Sequence, residues 1–422
     1  MRRTLALKVW ASRATSLARG ILVALLLHRE WRDTIRPKVP RRRVTRGEPL
    51  RVALVSEYYY PVLGGITEHV HHFARHLLQA GHEVTIFTPE AGPFGRDTGE
   101  VGRRVVKVGR SVPVYSNDSY ARMSLGRRLG ETLQHLFEEG NFDLVHVHSP
   151  FTPTLPLLAI KYSPVPVVGT FHTHFEENLG MSLLHPYLRP YLEALALRIA
   201  VSPVCIRSLE RYFGDLSFVV VPNGIDTGVY HPEGPRLPEF EDGSFNVLYV
   251  GRFDPRNGLE TLLQAFAHLA RERPNLRLIV VGFGPLEEYY RRLVPPELRS
   301  RVIFAGRVDE ERPLYYRTAQ VLCFPAKKGS FGITLLEAMA CGTPVVTTDI
   351  EGFRFVMTPG EHGLMVPPDS GAQGYARALA YLMDHPQERR AMARKARERA
   401  LSFSWERVSQ TVLDYYYQIL GA

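Results

Sequence analysis

Glu337 is the only acid in CFPAKKGSFGITLLEAMACGTPVV, residues 323–346, where an apolar strand runs through a Gly-Ser turn into a helix. Ser330 to Thr334 open that helix, and their N–H groups with the helix dipole favour an anion. Glu337, one turn later, suits two hydrogen bonds from a ribose diol; the same pattern also fits a core helix burying Leu335, Leu336 and Met339. Arg252 ends the strand NVLYVGR, where a fixed cation suits phosphate or diphosphate. In SEYYYPVLGGITEHV, Gly64 and Gly65 lead from a strand into a helix. Paired glycines let backbone approach a ligand, and the helix start offers N–H groups to an anion; a tight packing turn is the plainer reading. This is not a GxGxxG fingerprint, and the one GxG, Gly282 and Gly284, is a weak signal.

Histidines cluster at His69, His71 and His72, at His146 and His148, and at His172 and His174. No carboxylate or thiolate completes an evident zinc set, so no metal is expected. His172 closes the apolar strand VVGTFHT and so stands at a strand's carboxyl end, where a hydrogen-bonding role competes with simple packing.

These residues need a scaffold of strands whose ends converge. RVALVS, VTIFTP, FDLVHVHSP, VPVVGTFHT and FVVVPNGID read as strands alternating with helical stretches, as do NVLYVGR, LRLIVVG, VIFAG, QVLCFP and PVVTTD further on. Such alternation means parallel sheets covered on both faces, with ligands beyond the carboxyl ends. A Pro- and Gly-containing stretch at 231–245 reads as the linker. The expected fold class is α/β, with two doubly wound Rossmann-like domains at 48–232 and 244–400, and a C-terminal helix within 401–422. The length, too great for one ordinary core, agrees.

Forty-five per cent of residues are apolar and 23% charged, an ordinary globular composition. Cys205, Cys323 and Cys341 lack CxxC spacing and read as buried, reduced thiols. The net charge of +9 is concentrated: residues 1–50 hold 13 Lys and Arg against three acids, leaving 39 basic and 40 acidic residues in the remainder. A neutral body argues against nucleic acid as a partner. The basic arm, residues 1–47, has an apolar run from Gly20 to Leu27 that is too short to span a bilayer and lacks a signal-peptide cleavage pattern. With RPKVPRRRVTR behind it, the arm suits an anionic membrane surface; a disordered extension or a mis-chosen start codon are the other readings.

Taken together, GGITEHV, HVHSP, GTFHT, VPNGID, GRFDPRNGL, GFGPLEE and SFGITLLEAMACGTPVV resemble the family-4 retaining glycosyltransferases of the GT-B fold, over residues 50–420. Phosphatidylinositol mannosyltransferases and similar glycolipid enzymes are the nearest in type. The resemblance implies two domains facing across a cleft, with the C-terminal helix crossing back to the first. It implies a nucleotide-sugar donor, such as a GDP- or UDP-sugar, and a lipid or glycan acceptor. It implies catalytic roles for His172 at the transferred sugar and Arg252 at the diphosphate. Gly64 and Gly65 would lie near diphosphate and acceptor, and Val308 would meet the base through its backbone. Phe331, Gly332, Ile333 and Thr334 would lie by the phosphates, and Glu337 would hold the ribose. No cofactor or metal would be required, and the location would be cytoplasmic, peripheral on the inner face of the cell membrane.

Two positions depart from the family's pattern. Asn257 stands where Lys is usual, and Gly329 stands eight residues before Glu337 where Glu is usual. One reading has Arg256, Lys327 or Lys328 replace the missing cation, with Gly329 admitting a different sugar. The other makes the chain a catalytically silent binding or scaffold protein. A nucleotide-sugar epimerase would need acidic acid/base residues, and none can be placed.

Overall fold

The computed structural model describes residues 35–62, 64–92, 98–116, 119–152, 154–174 and 179–421. The apolar run of the arm lies outside the described residues. The chain forms two compact units: residues up to Pro222 together with Val408–Ala422, and Asn223–Arg407.

The first unit is built on strands β1 (Arg51–Val55), β2 (Glu83–Glu90), β3 (Val105–Ser116), β4 (Ser119–Leu125), β5 (Leu144–His148), β6 (Val167–Phe171), β7 (Leu197–Ala200) and β8 (Val219–Val220). Their order is β4-β3-β2-β1-β5-β6-β7-β8, parallel except for the β3–β4 pair. Every residue of β5 and β6 is buried, as helices on both faces require. The second unit has β9 (Phe245–Val250), β10 (Leu276–Val281), β11 (Val302–Gly306), β12 (Val321–Phe324), β13 (Val345–Thr348) and β14 (Gly363–Val366). Its order, β11-β10-β9-β12-β13-β14, is fully parallel and is the 3-2-1-4-5-6 arrangement of a doubly wound sheet. Strand order therefore reverses between β1 and β5, and again between β9 and β12.

The units meet in sequence at Pro222/Asn223, ahead of the stretch expected as a linker. That stretch is fastened to the second unit. Arg317 donates to the carbonyls of Val229, His231 and Pro235, and the Leu237 N–H donates to Thr318 Oγ1. The last helix, Trp405–Ile419, starts in the second unit, and its residues from Val408 on belong to the first. There Tyr416 OH and His146 Nδ1 share a hydrogen bond of 2.6 Å, and Tyr417 OH donates to the Glu48 carbonyl. Part of the basic arm is equally tied down. Arg42 grips Asp143 with Nε and Nη2 at 2.7 and 3.0 Å, Arg46 pairs with Asp414, and Val44 is buried.

Three buried titratable groups of this unit have their protonation set by the fold. Burial holds the His146 imidazole down at about 3, and holds the stacked His148 well below its usual value. Burial pushes the Glu57 carboxyl up to about 7, against the pull of the Leu155 and Thr154 N–H groups and Ser124 Oγ, all donating to it. Between pH 6.5 and 4.5 the unfolded chain takes up both imidazole protons, which the fold refuses. Over the same range the folded state keeps the Glu57 proton, which the unfolded chain lacks. Near pH 6.5 the half-protonated imidazoles of the unfolded chain are largely offset by the Glu57 proton that the fold retains; towards pH 4.5 both imidazoles are charged in the unfolded chain and outweigh it, so acidification favours the unfolded state. Urea unfolding of the first unit at pH 6.5, 5.5 and 4.5 should show falling stability, and Glu57→Gln should steepen the fall. Stability that stays level or rises on acidification would refute the assignment.

Candidate functional site

The four strands that flank the two reversals deliver most of the candidate residues; His172 follows β6 and Val308 follows β11. In the first unit the loop after β1 carries Glu57, Tyr58, Tyr59, Tyr60, Gly64 and Gly65, and leads into the helix Gly65–Gln79. The loop is stapled to that helix: Tyr59 OH and His71 Nδ1 lie 3.0 Å apart, Tyr60 OH donates to Glu68, and Thr67 Oγ1 donates to the Val62 carbonyl. Gly64 and Gly65 are exposed, and a Cβ on Gly64 would meet nothing within 4 Å. Gly64 leaves open space at the helix entry rather than packing against a neighbour.

His148 ends β5 and His172 directly follows β6, so adjacent parallel strands bring the two rings together. His148 Nδ1 and His172 Nε2 are 3.2 Å apart. His69, from the helix Gly65–Gln79, stands edge-on to both, at 5.2 and 4.7 Å between ring centres. Each of the three offers a ring nitrogen within 4.8 Å of the others, a grouping able to hold a metal ion. Periodicity could not show this, because the three rings come from three elements. His148 Nε2 is buried with no hydrogen-bond partner. His146 stacks on His148 with ring centres 4.4 Å apart and is held between Tyr416 and Thr170 Oγ1.

In the second unit Arg252 stands just beyond β9, half-exposed, with Nη2 2.6 Å from Asp254. The Asn257 side chain turns back and donates to the Arg252 carbonyl at 2.9 Å, so it fastens the strand-end loop from the position where a lysine was expected. Gly282 and Gly284 explain the isolated GxG. A Cβ on Gly282 would lie 1.9 Å from the Gly251 carbonyl oxygen, and one on Gly284 2.9 Å from Phe253 Cβ. They allow two strand-end loops to touch. Gly258, at φ +76, does the same against the Pro325 carbonyl. The Lys327 N–H then donates to the Arg256 carbonyl at 2.7 Å, which brings Arg256 and the Lys327-Lys328 pair to one edge of the loop.

The helix after β12 is Ile333–Ala340, entered through Gly332 at φ +92. Its first turn bonds Leu335 N and Leu336 N to the Gly332 carbonyl, so the N–H groups of Ile333 and Thr334 precede the ladder. Phe331, expected by the phosphates, buries its ring against Phe355 and Phe403. Only its backbone faces the turn. Val308 is half-buried in the loop after β11, between Arg307 and Asp309, which pair at 3.0 Å. Glu337 is buried with both oxygens engaged: Oε1 accepts from Arg312 Nη1 at 2.9 Å and Tyr230 OH at 3.2 Å, and Oε2 from Tyr316 OH at 2.7 Å.

Gly329 has a packing reason that sequence reasoning missed. A Cβ there would lie 2.4 Å from Phe353 Cε1, and one on Gly352 would lie 2.1 Å from the Gly329 carbonyl oxygen. Phe353 fills the place beside Gly329, and no side chain at 329 fits while that ring stays. Glu57, Tyr230, Arg312 and Phe353 were all overlooked, since each acts on a partner far along the chain.

Residues 63–229 match the glycosyltransferase family 4 model, and residues 235–399 match that of the glycosyl transferases group 1. The phosphatidyl-myo-inositol mannosyltransferase of Mycolicibacterium smegmatis is 35% identical over 376 residues, 88% of this chain and 95% of that protein. Among solved structures, the sucrose-phosphate synthase of Thermosynechococcus elongatus superposes with a TM-score of 0.70 at 25% identity, over 87% of this chain and 98% of that one. Anabaena HepE in complex with UDP-glucose superposes with a TM-score of 0.66 at 17% identity, over 87% and 99%, a likeness of fold. The chain belongs to the family-4, group 1 glycosyltransferases of the GT-B fold.

Proposed function

We propose that this chain is a retaining, metal-independent transferase that moves a mannosyl or related hexosyl group from a nucleotide-sugar to a phosphatidylinositol-type lipid at an anionic membrane face. The observation that carries the reading is the pairing at the second reversal: Arg252 beyond β9, and beyond β12 a Gly332-opened helix with Glu337 one turn in. The likeness to a named phosphatidyl-myo-inositol mannosyltransferase supports the sugar and the acceptor. HepE, solved with UDP-glucose, supports the kind of donor.

Glycosyl transfer of this kind builds negative charge on the departing diphosphate. Fixed donors aimed at that charge lower the barrier. Arg252 supplies one, the N–H groups of Ile333 and Thr334 supply others, and Arg256, Lys327 and Lys328 add positive charge in place of the lysine absent at 257. With these cations no metal is required. Val308 meets the base through its backbone and Glu337 holds the ribose. From the first unit we assign Gly64 and Gly65 to the diphosphate and acceptor, and His172 to the transferred sugar. Attack on the same face of the sugar, with the diphosphate taking the acceptor proton, gives retention. Purified protein should hydrolyse or transfer from GDP-mannose with phosphatidylinositol liposomes, and Arg252→Ala should lower kcat/KM by about 10²-fold. No turnover across GDP- and UDP-sugars would instead establish the catalytically silent protein that Asn257 and Gly329 also fit.

The packing around Gly329 bears on that alternative. Gly329→Glu should not create or raise activity by itself, because the new side chain meets Phe353. Overpacking of this kind should cost about 1–3 kcal/mol of second-unit stability. In a double-mutant cycle with Phe353→Ala the two changes should couple by more than about 0.5 kcal/mol. Additive effects in urea unfolding would eliminate the packing explanation.

Membrane attachment through the arm is the remaining part of the proposal. Residues 1–34 carry seven basic residues against two acids. Arg42 and Arg46 are already committed to Asp143 and Asp414, so the deletion that tests the arm stops at residue 34. Removing residues 1–34 should weaken sedimentation with anionic liposomes, and added salt should weaken the full chain's binding in the same direction. Equal binding with and without the segment would place the membrane contact elsewhere.

A further inference from the structure

Glu337 is saturated on one oxygen. An ionised carboxylate offers about four acceptor positions, two on each oxygen. Oε1 already takes Arg312 Nη1 and Tyr230 OH, and Oε2 takes Tyr316 OH, which leaves one position. A ribose diol that engages both oxygens must therefore displace one of these donors.

The three are not equally held. The Arg312 bond is charge-assisted, and losing it would leave a buried carboxylate without its cation. Tyr316 is completely buried and makes the shortest bond, 2.7 Å, while its carbonyl accepts from Thr343. Tyr230 makes the longest bond, 3.2 Å, and is only half-buried. Its backbone is pinned: the carbonyl accepts from Arg397 Nη1 at 2.9 Å, and the N–H donates to the Asp226 carbonyl at 2.8 Å. A change of side-chain rotamer would release the carboxylate without moving the loop.

We infer that Tyr230 is a placeholder on the nucleotide site: its hydroxyl occupies Glu337 Oε1 until a ribose hydroxyl takes that position. The inference rests on the reading of Glu337 as the ribose ligand. Tyr230 is a positioning residue that sets nucleotide affinity, and Arg312 with Tyr316 keeps the carboxylate oriented in both states.

The test is calorimetric titration of the full chain with ADP, GDP and UDP, in wild type and Tyr230→Phe. Phenylalanine keeps the ring and its contact with Tyr316, centred 6.1 Å away, and removes only the hydroxyl. For whichever diphosphate the wild type binds, Tyr230→Phe should bind about twofold to tenfold more tightly, the net worth of one hydrogen bond. With the 2′,3′-dideoxy form of the same nucleotide the gain should vanish, a selectivity that a general loosening of the loop would not produce. Equal or weaker binding by Tyr230→Phe, or a gain that persists with the dideoxy nucleotide, would overturn the placeholder role while leaving the nucleotide site in place. Failure of the wild type to bind any of the three would overturn both readings.

Discussion

Most of the candidate residues stand where strand order reverses in two largely parallel sheets. Helices leaving neighbouring strands on opposite sides of a reversal part to opposite faces, so the loops beyond those carboxyl ends are left uncovered. In the first unit these are the loop after β1, which holds Glu57, Gly64 and Gly65, and the loop after β5, the strand that ends in His148. In the second they are the loops after β9 and β12, which hold Arg252, Asn257, Lys327, Lys328 and the entry to Glu337. The sheets create the opening, and the glycines then decide how closely its walls approach.

Such an opening concentrates polar groups that the fold must satisfy without water. Glu57 shows how. It lies beyond β1, yet its Oε1 accepts the N–H groups of Thr154 and Leu155 at 2.8 and 2.7 Å, the start of the helix Leu155–Tyr162 that follows β5. One carboxyl thus ties the two loops of the reversal together and caps a helix. Glu337 does the equivalent work in the second unit, joining the helix Arg312–Thr318, the helix Ile333–Ala340 and the segment after Ile225. Removing one partner from either cluster leaves a buried polar group uncompensated, which costs more than the bond itself contributes. Substitutions at Glu337 will therefore loosen the segments it joins, whatever else they change.

The alternation of apolar strands with helical stretches was legible because each strand is buried on both faces, which forces continuous apolar runs such as LVHVH and VVGTF. Arg252 and Glu337 were legible because their positions relative to a strand end or helix start are local. The rest was hidden by distance along the chain. Nothing near Gly329 announces that Phe353 will fill its side-chain space. Nothing near Glu337 announces Tyr230, 107 residues earlier. The stretch at 231–245 read as a linker because its composition records the lack of a regular element. It is in fact anchored by Arg317, whose guanidinium takes the His231 and Pro235 carbonyls within it and the Val229 carbonyl just before it.

The two departures from the family's pattern have different physical characters. Asn257 is an exchange: the amide gives up a cation but gains a bond to the Arg252 carbonyl, which steadies the backbone that carries the remaining cation. The Lys327–Arg256 backbone bond brings Arg256, Lys327 and Lys328 to one edge of that loop. Gly329 is a replacement of a different kind, in which a ring supplied by Phe353 takes the volume a side chain would have used. A phenyl ring offers a sugar no hydrogen bond. Any hydroxyl once held from that position must find another partner or do without one. The first change keeps basic residues beside the strand-end loop, and the second exchanges side-chain space at position 329 for an aromatic ring, so one departure alters where charge stands and the other alters shape.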